Sequence, residues 1–305
     1  MNNLDSDEEE SATPERQTAA KRSTLVSVAV NIALTAAQVV AGIVTGSQGL
    51  IADGIHSLSD LVADFVVLFA NHHSGKEADD DHHYGHQRFE TAASLVLGLL
   101  LVAVGVGMLL SAAVKLQHGD AIPQVQIAAL WVALGALAAK EILFRYMLAV
   151  AERVRSAMLV ANAWHARSDA ASSLVVAIGI VGSLLGYPVL DPIAALIVGF
   201  MVARMGWSFS WDALHDLMDR AASNEEIGEI RRVLLATPGV LGLHDLRTRK
   251  MGDLIVADVH LEVDGDLNVR NGHDIAVDAR RRVMAELPVL NVMTHVDPRA
   301  VQSTK

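Results

Sequence analysis

The chain has 305 residues, 52% of them hydrophobic and 19% charged, with a formal net charge of −11 and a mean hydropathy of +0.35. So apolar a composition excludes an ordinary soluble domain and fits a polytopic membrane protein with a soluble appendage, while the negative charge argues against nucleic acid as a partner. The absence of cysteine rules out disulfides and thiolate ligands, so any metal must be held by His, Asp, Glu and water.

Residues 1–22 open with Asp5, Asp7, Glu8, Glu9 and Glu10 and lack an apolar core or cleavage site. They read as a solvated, disordered tail and not as a signal peptide. Residues 23–211 contain six apolar segments, at 24–46, 50–72, 90–115, 122–147, 158–186 and 189–209. Each is near the roughly 20 residues a spanning helix needs. Gly46-Ser47-Gln48-Gly49 breaks the first from the second, and Gly186-Tyr187-Pro188 breaks the fifth from the sixth. Lys21, Arg22, Lys76, Arg88, Arg153 and Arg155 fall in the head and alternate connections, whereas the other loops carry none. That asymmetry predicts six spans with both termini in the cytoplasm.

From about 212 the pattern changes. Residues 223–236 form a capped amphipathic helix ended near Pro238, and 240–249 and 254–263 alternate as two strands about a turn at Lys250-Met251-Gly252-Asp253. A second helix over 269–287 and a third strand over 289–297 complete an αββαβ order. The expected architecture is therefore an α-helical membrane protein carrying a C-terminal cytoplasmic, ferredoxin-like α/β domain over 212–300, with 301–305 as a tail.

Two strings inside the apolar segments carry chemistry: His56-Ser57-Leu58-Ser59-Asp60 and His165-Ala166-Arg167-Ser168-Asp169. Spacing of four puts each His and Asp on one helix face, about one turn apart. An ionised Asp at the centre of a membrane helix costs about 2.5–3.5 kcal/mol on insertion scales. A single pair fits interhelical hydrogen bonding, but two matching pairs suit a shared four-ligand Zn²⁺ site. Asp53 and Asp64 read as more solvated positions near the two mouths, and Asn31, Thr35 and Gln38 as bundle hydrogen-bonding groups. The loop Ala78-Asp79-Asp80-Asp81-His82-His83-Tyr84-Gly85-His86 is either a solvated acidic loop or a metal site. His244, His260, His273, His295 and Asp297 fall at strand or helix ends that an αββαβ domain gathers. Each alone reads as a surface residue; together they read as metal ligands.

Residues 47–60 (Ser-Gln-Gly-Leu-Ile-Ala-Asp-Gly-Ile-His-Ser-Leu-Ser-Asp), 84–90 (Tyr-Gly-His-Gln-Arg-Phe-Glu), 163–169 (Ala-Trp-His-Ala-Arg-Ser-Asp), His244-Asp245-Leu246-Arg247 and His295-Val296-Asp297-Pro298 closely resemble the cation diffusion facilitator family. The resemblance covers residues 22–298. It implies a homodimer in the lipid bilayer of a bacterial inner membrane that exports divalent cations in exchange for protons. By position it implies a transport site at His56, Asp60, His165 and Asp169, and a loop site at Asp79, His82 and His86. It further implies a cytoplasmic site at His244, His260, His273, His295 and Asp297, and an ion pair between Arg88 and Asp219. Many bacterial members carry Asp where this chain has His56, and in the family His there accompanies preference for zinc over cadmium. Zn²⁺ is the expected cargo and regulatory ion, with Fe²⁺, Co²⁺, Mn²⁺ and Cd²⁺ as alternatives. No G-x-x-x-x-G-K-[ST] loop is present, which suits an ion-gradient-driven carrier. The competing readings are an intramembrane zinc hydrolase, which lacks a His-Glu-x-x-His string, and a metal sensor that does not transport.

Overall fold

The computed structural model describes residues 14–74, 76, 78–117, 122, 124–153 and 157–299, without the side chains of 14–21, 23–24, 64, 67–68, 70–74, 157–159, 161–162 and 165. Six long helices come first: α1 (Pro14–Thr45), α2 (Gln48–Ser74), α3 (Arg88–Gln117), α4 (Ile127–Arg153), α5 (Ala157–Leu184) and α6 (Leu190–Leu217). Five of them contain stretches long and apolar enough to cross a membrane, with α2 the exception among the described residues. α7 (Asn224–Leu235), β1 (Gly242–Met251), β2 (Leu254–Asp264), α8 (Val269–Glu286) and β3 (Val289–Arg299) follow, which is the expected αββαβ order.

Three boundaries depart from the sequence expectation. α1 begins at Pro14, so 14–22 is helical where a disordered tail was expected. Proline suits the first helical position, where its missing N–H would be unbonded anyway. The rest of that tail, residues 1–13, lies outside the described residues, as do Arg155 and 300–305. α4 starts at Ile127 and not at 122; Pro123 in the sequence disfavours helical backbone at 122 itself. α6 runs on to Leu217, eight residues past the expected end at 209.

By internal contact the chain divides into one unit over 1–65 and 98–207 and another over 66–97 and 208–305. In the first, the turn after α5 carries Gly186, whose φ of +99° is left-handed and suits glycine. Tyr187 N donates to Gly182 O at 3.1 Å and Gly186 N to Ser183 O at 3.2 Å, the paired bonds of a Schellman cap. The start of α2 is capped by Asp191 of α6, which accepts from Ser47 Oγ at 2.5 Å and from the Gln48 N–H at 2.7 Å.

In the second unit, Ser223 caps α7 reciprocally with Glu226. The sheet order is β1-β2-β3, with β1 antiparallel and β3 parallel to β2. One face of the sheet, carrying Ile255, Ala257, Val259, Leu261 and Val292, packs on Ile230, Val233 and Leu234 of α7 and Ala276, Ala279 and Val283 of α8. Alternation along β2 turns Asp258, His260 and Glu262 to the other face. The core thus fixes which side chains are left free to bind a ligand.

Candidate metal centres

In the helical unit, α2 and α5 bring His56, Asp60 and Asp169 together, with one ligand atom from each lying within 4.8 Å of the others. His56 Nδ1 is 3.7 Å from Asp60 Oδ2, as spacing of four on a helix requires. Donors at about 2.0–2.2 Å from a tetrahedral zinc ion lie about 3.3–3.6 Å apart, so a pair near the 4.8 Å limit must close by about 1 Å to share one ion. His165 lies on α5 one turn before Asp169, but its side chain and that of Asp64 are outside the described residues.

Asp53 differs from the sequence expectation. It is 1% exposed and does not occupy a solvated mouth. Its carboxylate accepts from Ser172 Oγ at 2.6 Å, from Ser173 Oγ at 2.5 Å and from the Gln38 amide, and it pairs with Lys140 Nζ at 3.5 Å. No local pattern marks the partner of Lys140, on α4, yet a lysine inside an apolar segment is itself a signal that a partner charge lies nearby.

In the loop between α2 and α3, Asp79 organises its neighbours. Its Oδ1 accepts from the backbone N–H of His82 at 2.7 Å and of Asp81 at 3.1 Å, while His86 Nε2 lies 3.3 Å from Oδ2. The His82 and His86 rings are 4.4 Å apart between centroids, and His86 stacks on Phe89 at 5.5 Å. The His82 backbone N–H holds the Asp79 carboxyl below the usual range; desolvation, the next largest effect, opposes it, and the Asp81 N–H, the charge of His86 and the His82 side chain add to the lowering. Asp79, His82 and His86 offer three convergent ligand atoms.

The sheet supplies a third group. His244 pairs with His260 across β1 and β2, and His260 pairs with His295 across β2 and β3, so one row of imidazoles crosses all three strands. Neighbouring rings are 5.0 and 4.7 Å apart between centroids. A β-bulge follows His244, with Asp245 at φ +48°, and re-aims that end of β1. Asp297 is the hub: its Oδ2 lies 2.9 Å from His260 Nδ1 and 3.2 Å from His244 Nε2, and its Oδ1 lies 3.3 Å from His295 Nε2. The bond to His260, with the charges of His295, His260 and His244, holds the Asp297 carboxyl below the usual range although desolvation opposes it. His273 is not gathered into this row; it lines a cleft of about 370 Å³ with Asn268 and Val296.

Arg88, at the start of α3, pairs with Asp219 and also donates to the Leu217 carbonyl at 3.4 Å. Asp219 follows the end of α6 at φ +60°. Arg220 N donates to His215 O at 3.0 Å and Asp219 N to Asp216 O at 3.2 Å, which is the Schellman pattern with aspartate where glycine is usual.

The model of the cation efflux transmembrane domain matches residues 24–218, and that of the cation efflux protein cytoplasmic domain matches 222–299. Metal tolerance protein C1 of Arabidopsis thaliana is 34% identical over 287 residues, covering 89% of this chain and 61% of that protein. Magnetosome protein MamB of Magnetospira sp. strain QH-2 is 33% identical, with 85% of this chain and 88% of that protein covered. Manganese efflux system protein MneP of Bacillus subtilis is 32% identical, with 93% and 98% covered. Members of the matched family are transporters, which removes the hydrolase reading. The chain belongs to the cation diffusion facilitator family and is a multi-pass membrane transporter for the efflux of divalent metal cations.

Proposed function

We propose that the chain exports Zn²⁺ from the cytoplasm in exchange for protons, as a homodimer working by alternating access. The observation that carries this reading is the convergence of His56, Asp60 and Asp169 from two different helices. With His165 as fourth ligand, the set has two imidazoles and two carboxylates, which suits tetrahedral zinc. Metal binding requires neutral imidazoles and ionised carboxylates, so protons and metal compete for the same groups and exchange needs no ATP.

In this reading the membrane domain spans 23–211 and the cytoplasmic domain 212–300, with both termini on the cytoplasmic side of a bacterial inner membrane. The Asp79-His82-His86 and His244-His260-His295-Asp297 groups are imidazole and carboxylate sets that fit zinc as a regulatory ion. His273 would complete the second group only from elsewhere in the dimer. Metal bound there would favour the transporting conformation.

Proteoliposomes enclosing a zinc-sensitive dye test the proposal. A pH gradient should drive zinc flux, and Asp60→Ala or Asp169→Ala should abolish it. Tight zinc binding without flux would point instead to a sensor. Two relatives, MneP and MneS of Bacillus subtilis, are named manganese efflux proteins, which favours Mn²⁺ as a second candidate cargo. The imidazoles favour zinc, because manganese prefers oxygen ligands. Flux in mixtures of Zn²⁺, Mn²⁺, Fe²⁺, Co²⁺ and Cd²⁺ decides between them.

A further inference from the structure

One helical turn from the α2–α5 ligand cluster, the bundle is closed by polar groups. On α2, Asp53 lies three residues before His56; on α5, Ser172 and Ser173 lie three and four residues after Asp169. Gln38 of α1 and Lys140 of α4 complete the network around Asp53, so four helices meet at one carboxylate. All five residues are buried. Lys140 Nζ also donates to the backbone carbonyl of Asp169 at 3.3 Å, which ties the network directly to the segment carrying a metal ligand.

Exposure changes in the same sense along both helices. On α2 the side chains run from 1% exposed at Asp53, through 6% at His56, to 18% at Asp60. On α5, Ser172 and Ser173 are buried whereas Asp169 is partly exposed. The cluster therefore communicates with its surroundings on the side of the α2 C terminus and is sealed on the side of the α2 N terminus. The seal is an ion pair braced by three neutral donors, and nothing in the ligand set itself requires it.

We propose that the Asp53–Lys140 pair is the gate that closes the cation pathway on the side of the α2 N terminus and the α5 C terminus. Its partners sit on different helices, so a small rigid-body shift separates them, and buried contacts of this kind switch between discrete arrangements. When Lys140 withdraws, the Asp53 carboxylate becomes an oxygen ligand about 5 Å further along the route, one turn from His56. The gate thus opens onto a second coordinating group and not onto bare hydrocarbon. This assignment rests on the carrier reading above, but its test does not depend on flux.

The chain has no cysteine, so Asp60→Cys supplies a single reporter inside the site. The full chain is reconstituted in sealed vesicles and exposed from either side to the membrane-impermeant thiol reagent MTSET. The reporter should react from one side only. Adding Asp53→Asn with Lys140→Met should raise its rate from the closed side at least tenfold and leave the open-side rate unchanged. Adding Ser172→Ala with Ser173→Ala, which removes two braces and no charge, should give an intermediate rate. An unreactive closed side in the first combination, with normal labelling from the open side, overturns the assignment. Should that combination lose open-side labelling through misfolding, the serine combination decides, and no rise there also overturns it. Absence of metal flux in the unaltered protein would sink the carrier reading while leaving a positive labelling result intact.

Discussion

Asp219 holds a left-handed backbone at the end of α6 while its carboxylate pairs with Arg88 at the head of α3. Two effects oppose each other there. A non-glycine residue in that conformation costs about 1–2 kcal/mol, whereas an exposed ion pair contributes about 0.2–1 kcal/mol. Asp219→Gly should therefore leave the melting temperature of the purified protein equal or slightly raised, and Asp219→Ala should lower it. Both should reduce transport if the link between α3 and α6 matters for function. Equal melting of the two variants would show that the backbone term is negligible.

His56 is the residue expected to choose the cargo. His56→Asp replaces a nitrogen with an oxygen and should admit Cd²⁺ while keeping Zn²⁺ transport, as competition flux assays would show. Continued exclusion of cadmium would move selectivity to another part of the site.

Asp297 touches all three imidazoles of the sheet, so its loss should exceed that of any single histidine. Asp297→Ala should weaken zinc binding at this group by roughly 10–100-fold, the range seen when groups supporting a metal site are removed. Titration calorimetry on the purified protein, compared with the double variant His244→Ala with His295→Ala, provides the measurement.

Acidification should weaken this group. The Asp297 carboxyl is held below the usual carboxylate range by its bond to His260 and the neighbouring imidazoles. Zinc binding measured by calorimetry over a pH series should weaken on acidification because protons compete with metal for the same donors, and the Asp297 contribution should be the last to go. The sign of its stability contribution follows: a depressed pKa stabilises the fold above the unfolded-state value, and that contribution is lost as pH falls through the folded-state value.

A Cβ at Gly105 would lie 2.5 Å from the backbone nitrogen of Ala203, so α3 and α6 touch backbone to backbone. Gly105→Ala must push them apart and should destabilise by about 1–3 kcal/mol, read as earlier thermal unfolding. Gly107 faces open space, and Gly107→Ala should be neutral or mildly stabilising.

Much of the second domain and of the ligand sets is legible in the sequence. The second domain was readable because Ile227, Ile230, Val233 and Leu234 repeat at helical spacing and β2 alternates apolar with polar residues. The His-Asp pairs were legible because charge in hydrocarbon demands a reason. What escaped was pairing at a distance. Lys140 and Asp53 are 87 positions apart, and no local pattern says that they meet. The depth of Asp53 depends on how α1, α4 and α5 pack around it, which its own segment does not encode. Likewise Asp219 gave no sign of a helix cap, because the residue usual at that position is glycine.

The row His244, His260 and His295 crosses every strand of a three-stranded sheet in a chain that has no cysteine. An ion held by that row would staple the sheet as a disulfide staples a secreted domain, but reversibly. Its strength would track the free metal around it, adding about 1.4 kcal/mol for each tenfold rise beyond the dissociation constant. The rigidity of the domain would then be a reading of the metal concentration it meets.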